Sequence, residues 1–138
     1  MRALGLAAAA AAALTGAAKA QEAGTLGVEL NKLETIEGGC RSFFLFRNAT
    51  GRAMSAFEMS LAILSPDGVI DRLLTIDAAP LPAERTTLKI FEIPETRCEA
   101  VGEILLHDIP ACAAADGAEA DCFGMVALTS LADAPLIK

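Results

Sequence analysis

Between Ser55 and Leu64 every second residue is large and apolar: Phe57, Met59, Leu61 and Ile63 alternate with Glu58, Ser60 and Ala62. Successive side chains of an extended chain leave on opposite faces, so a period of two over this length predicts a half-buried strand. The stretch that follows, Ser65-Pro-Asp-Gly68, has proline at the second turn position and glycine at the fourth, a type I hairpin signal. Similar short apolar segments recur along the chain, separated by Gly38-Gly39, by Asn48-Ala-Thr-Gly51 and by a loop bracketed by Pro80 and Pro82. Strands are predicted over residues 25–33, 40–47, 55–64, 69–77, 85–93, 101–109 and 123–131. Residues 26–36 also fit a helix, since Leu26, Leu30 and Leu33 fall at near-helical spacing. Seven short strands in a chain of this size predict an all-β fold, an immunoglobulin-like antiparallel sandwich forming one domain.

The first twenty residues belong to a different class. Arg2 precedes an uncharged run from Ala3 to Leu14, and Ala18-Lys19-Ala20 is a small-x-small cleavage signal. The run is shorter than the roughly 20 residues a spanning helix needs. We read residues 1–20 as a cleaved export leader and residues 21–138 as the mature domain. No Arg-Arg pair precedes the run, which favours the general secretion route, and Gln21 in place of a cysteine argues against a lipid anchor. The expected address is the periplasm, as a soluble protein with no membrane insertion.

Removing the leader takes away Arg2 and Lys19 but no carboxylate. Residues 21–138 keep 9 basic against 18 acidic side chains, a net charge of −9. Such a field repels phosphate backbones and anionic lipid, so neither nucleic acid nor a membrane surface is an expected partner.

All four cysteines, Cys40, Cys98, Cys112 and Cys122, follow the leader. An even count in an exported chain reads as two disulfides, and four cysteines allow three pairings. Proximity favours Cys112–Cys122, which leaves Cys40–Cys98. Metal binding by these thiols is disfavoured, because there is no C-x-x-C pair and one histidine in the chain.

From Gly38 to Leu88 the chain resembles the FxLYD-type immunoglobulin-like domains of bacterial exported proteins. The resemblance rests on FFLFRNATG, then SAFEMSLAILSPDGVI, then the loop AAPLPAERTTL. It departs where that family ends a strand in Leu-Tyr-Asp: here the stretch is Ile63-Leu-Ser-Pro-Asp67, and the chain has no tyrosine. More loosely, the whole chain is similar to small periplasmic proteins of alphaproteobacterial type. The resemblance implies a scaffold or binding module and supplies no catalytic residue to carry over; no cofactor is expected.

Three groups of residues are candidates for a site. On the strand at 40–47, Cys40, Ser42, Phe44 and Phe46 share one face, and Arg41, Phe43, Leu45 and Arg47 share the other. If Cys40 points into the core, Phe43 and Leu45 form an outward apolar patch between two arginines, the composition of a binding surface. The partner expected for it is another envelope protein, by analogy an inner-membrane complex with periplasmic parts. Asp116, Glu119 and Asp121 lie in the loop between Cys112 and Cys122, where they read as a solvated hairpin tip or a weak calcium site. His107 stands beside Asp108 and is the one candidate general base. Adjacent strand residues face opposite ways, however, and no G-x-S-x-G nucleophile motif accompanies it. The expected function is therefore non-enzymatic binding. The alternatives are a ligand or calcium carrier and a small hydrolase using His107. Asn48-Ala-Thr50 matches a glycosylation sequon and is read as a turn. The tail Pro135–Lys138 is expected to dock on the sandwich.

Overall fold

A computed structural model describes residues 24–118 and 120–138. The expected leader, its cleavage point at Ala20–Gln21, and Glu119 of the acidic loop lie outside the described residues. Among the described residues there are eight strands: β1 (Leu26–Ile36), β2 (Gly39–Asn48), β3 (Met54–Leu64), β4 (Ile70–Asp77), β5 (Arg85–Pro94), β6 (Glu103–Ala114), β7 (Val126–Ser130) and β8 (Leu136–Ile137). A 3-10 turn at Cys98–Ala100 precedes β6, and a single helical turn, α1 (Cys122–Met125), precedes β7. The strands form two four-stranded sheets, in the orders β5-β2-β1-β7 and β4-β3-β6-β8. This is the expected immunoglobulin-like sandwich, enlarged by the short strand β8.

The core follows from the alternation. β2 buries Cys40, Ser42, Phe44 and Phe46, and β3 answers with Phe57, Met59, Leu61 and Ile63. Phe46 meets Phe57 edge-on at 6.3 Å between ring centres, and Phe44 meets Phe91 of β5 at 6.0 Å. Each fully buried Phe or Leu contributes about 1.5–3 kcal/mol by leaving water, so this facing set is the main source of stability. Ser42 enters the apolar layer because its hydroxyl donates to the Phe91 carbonyl at 2.8 Å.

The expected first strand forms, over residues 26–36, and not the alternative helix; Leu26, Val28 and Leu30 are buried on one face of it. A bulge between Leu30 and Lys32 then shifts the register by one residue at Asn31. Several other expectations need correction. The sandwich is not wholly antiparallel: β7 runs parallel to β1, and β8 parallel to β6. Both exceptions come from the last quarter of the chain. β6 belongs to the second sheet and β7 to the first, so the two strands are not joined as a hairpin. Phe123, assigned to a strand from the sequence, lies in α1. The Ser65–Gly68 turn forms as expected, with the Gly68 amide donating to the Ser65 carbonyl at 2.9 Å and Gly68 at a φ of 79° that other residues avoid.

Two disulfides fix the ends of this arrangement, with the favoured pairing. Cys40–Cys98 ties the start of β2 to the 3-10 turn, and Cys112–Cys122 ties β6 to α1. The second bridge therefore anchors a sheet-to-sheet crossover, where a hairpin staple was expected. Among the described residues, no helix is long and apolar enough to cross a membrane.

A candidate interaction surface on the outer face of the first sheet

The inward set of β2 leaves Arg41, Phe43, Leu45 and Arg47 on the outer face, all partly exposed. The strand register adds residues that the sequence did not bring forward. Phe43 lies opposite Ile90 of β5, and Leu45 opposite Leu88. Leu88 is 53% exposed and Ile90 is 49% exposed, high values for residues of this type. The four side chains form one apolar patch, two residues deep along each strand.

Charges frame the patch on three sides. Opposite β2 on β1 stand Glu29 (facing Leu45), Lys32 (facing Phe43) and Glu34 (facing Arg41). The bulge at Asn31 makes this possible. Without it, Glu29 and Lys32 have opposite parity and one of them would point into the core. At one end Arg41 bridges Glu34 and Glu92, each at 3.5 Å, and Lys32 contacts Glu34 at 2.7 Å. At the other end Arg47 donates to Glu29 at 3.1 Å. Lys32 also sits over the Phe43 ring, 4.9 Å from its centre. The exposed pairs among them, Arg41 with Glu92 and Lys32 with Glu34, contribute little stability individually. Their effect is to hold the cations and carboxylates at the margins and leave the centre apolar.

The two carboxylates on β1 respond to this frame. The Glu29 carboxyl is held below the usual range, first by the Asn31 side-chain amide, which donates to it at 2.8 Å, and then by Arg47; its burial works in the opposite direction. Glu34 is likewise lowered, through its hydrogen bond and charge contact with Lys32 and the charge of Arg41. A cleft of about 200 Å³ lined by Arg47, Glu84, Arg85 and Thr86, among others, opens at the Arg47 end of the patch.

The other candidates are not brought together with this face. His107 lies at an irregularity in the pairing of β6 with β3, and both it and Asp108 are exposed, where opposite faces were expected. His107 Nε2 and the Ser60 hydroxyl share a hydrogen bond of 2.7 Å. Ser60 was not foreseen, because its pairing with β6 spans 47 residues. In the acidic loop, Asp116 accepts from the Ala118 amide at 2.9 Å, and Asp121 caps α1 by accepting from the Gly124 amide at 3.0 Å. Among the described residues, no three groups of metal-ligating type cluster. Asn48 of the sequon is buried and bonded through both ends of its amide. The tail contributes β8, and Lys138 donates to the carbonyls of Phe123 and Val126.

No family model, curated protein or solved structure matches this chain.

Proposed function

We propose that this protein is a non-enzymatic, exported binding module that contacts another envelope protein through the outer face of its first sheet. One observation carries the reading: Phe43 and Leu45, partly exposed, lie beside the exposed Leu88 and Ile90 on that face, inside a frame of paired charges. An apolar centre with a polar rim is the anatomy of a protein–protein contact. The location follows from the export leader read in residues 1–20, and two disulfides suit an oxidising compartment. The likeness of residues 38–88 to FxLYD-type domains points the same way, toward a scaffold that binds. By analogy, the partner is an inner-membrane complex with periplasmic parts.

The test is in-cell crosslinking of the tagged protein with mass spectrometry of what co-purifies. Under this reading one envelope protein dominates the wild-type sample and is lost from Phe43→Glu, while circular dichroism stays unchanged. Capture that survives Phe43→Glu and Leu45→Glu together would remove this face from consideration.

A further inference from the structure

Among the described residues, β5 is a lateral edge of its sheet and pairs with β2 alone. The Glu95 amide donates to the Gly38 carbonyl at 2.8 Å just beyond the end of that ladder. Stepping back by twos, the odd-numbered residues of β5 turn their backbone groups toward β2, and Thr86, Leu88, Ile90 and Glu92 turn theirs outward. The unpaired half of the backbone thus belongs to the same residues whose side chains lie on the outer face. The strand is ten residues long, with no proline before Pro94. Such an edge is a template for another strand. β4, the edge strand of the second sheet on the same side, carries Asp71, Arg72 and Asp77 along its shorter length.

We propose that two copies of this chain join edge to edge through β5, antiparallel, about a two-fold axis at Lys89. The residues of β5 match themselves in that register: Leu88 faces Ile90 of the second copy, and Thr86 faces its Glu92. Read with the existing pairing to β1 and β2, each central row becomes Glu29, Leu45, Leu88, then Ile90, Phe43 and Lys32 of the second copy. Each flanking row becomes Arg47, Thr86, then Glu92, Arg41 and Glu34 of the second copy. The four-residue patches merge into two apolar rows of four. Thr86 is small enough for Arg47 to reach across it to the second copy's Glu92, a charge match at both ends. The one opposing feature is Lys89 facing itself on the axis; each ammonium turns inward toward its own Ala79 carbonyl, at 3.4 Å.

Sedimentation of the disulfide-intact chain tests the proposal. Twice the monomer mass is expected at tens of micromolar, falling to monomer in Ile90→Pro. Proline there removes an outward amide and leaves the β2 ladder bonded. Lys89→Thr removes the facing ammoniums and tightens the dimer by about twofold to fivefold. For register, residues on the axis have Cα atoms about 4.5 Å apart, so Lys89→Cys forms an interchain disulfide on air oxidation and Leu88→Cys does not. Monomer at every concentration, a dimer unaffected by Ile90→Pro, or crosslinking through Leu88→Cys alone overturns the proposal. The binding-module reading is separate. Phe43→Glu is expected to leave the dimer mass unchanged, and a monomeric chain can still lose its envelope partner in Phe43→Glu.

Discussion

The Lys32 ammonium reaches the face of the Phe43 ring, 4.9 Å from its centre, because the bulge at Asn31 turns Lys32 outward. The contact itself is modest: Lys32→Ala should cost about 0.5–1 kcal/mol. Deleting Asn31 removes the extra residue itself: Leu30 and Lys32 become neighbours in a regular ladder, and each keeps its face. What is lost is the Asn31 hydrogen bond to Glu29 at 2.8 Å. We expect the deletion to cost about 1 kcal/mol, measured as the shift in urea midpoint. A cost of about 3 kcal/mol or more would show that β1 cannot run as a regular strand through this point.

Asn48 is 3% exposed and uses both ends of its amide. Its nitrogen donates to the Arg52 carbonyl at 2.7 Å and the Leu81 carbonyl at 3.1 Å, and its oxygen accepts from the Thr50 hydroxyl at 2.6 Å. Asn48→Ala should cost about 2–4 kcal/mol, since two carbonyls lose a buried donor at once. Asn48→Asp should be no better, because it retains the acceptor and loses both donors. The same burial means that a glycan on this sequon would require the loop to open.

The two disulfides close segments of 58 and 10 residues. Chain entropy assigns about 4 kcal/mol to the longer and about 3 kcal/mol to the shorter. The paired substitution of Cys40 and Cys98 by alanine should therefore lower the melting temperature more than that of Cys112 and Cys122. Calorimetry of both variants checks the order.

Glu29 has a side chain 12% exposed and a carboxyl held low by Asn31 and Arg47. The unfolded chain takes up this proton near the ordinary glutamate value of about 4.3, and the folded chain takes it up at lower pH. In that window the unfolded state binds more protons, so the Glu29 contribution is present above it and is lost as pH falls through the folded value. Urea midpoints measured from neutral to acidic pH should decline less steeply in Glu29→Gln than in the wild type, from a lower starting value at neutral pH.

Much of this was readable in the chain. The alternation at 55–64 and 40–47 gave the inward and outward sets correctly, because a strand has two faces and one must avoid water. The strand at 85–93 was equally recognisable, but Leu88 and Ile90 on one face compete with Phe91 and Ile93 on the other. Only the pairing to β2, made across some 40 residues or more, shows that the first pair faces solvent. Asn31 is similarly silent: a bulge is one extra residue, and nothing in LNKL marks which residue is extra. The crossover between Cys112 and Cys122 was mistaken for a hairpin because a short stapled loop between two strands is consistent with either, and sheet membership is a tertiary fact.

The remaining prediction concerns Ser60 and His107, whose 2.7 Å hydrogen bond is the arrangement from which a hydrolase would be built. A working dyad needs more: a partner orienting the second imidazole nitrogen, donors for the oxyanion, and a concave site. Among the described residues no hydrogen bond reaches His107 Nδ1, and the neighbouring carboxylate of Asp108 accepts from the Ile109 amide at 2.8 Å. Neither residue lines the clefts beside Arg47, Asn31 or Gly38. We therefore expect a fluorophosphonate probe to leave Ser60 unlabelled, and Ser60→Ala and His107→Ala each to cost at most about 1 kcal/mol, the net value of an exposed hydrogen bond. Labelling of Ser60 that disappears in His107→Ala would be decisive the other way, since only an activated hydroxyl reacts, and it would replace the proposed binding role with a hydrolytic one.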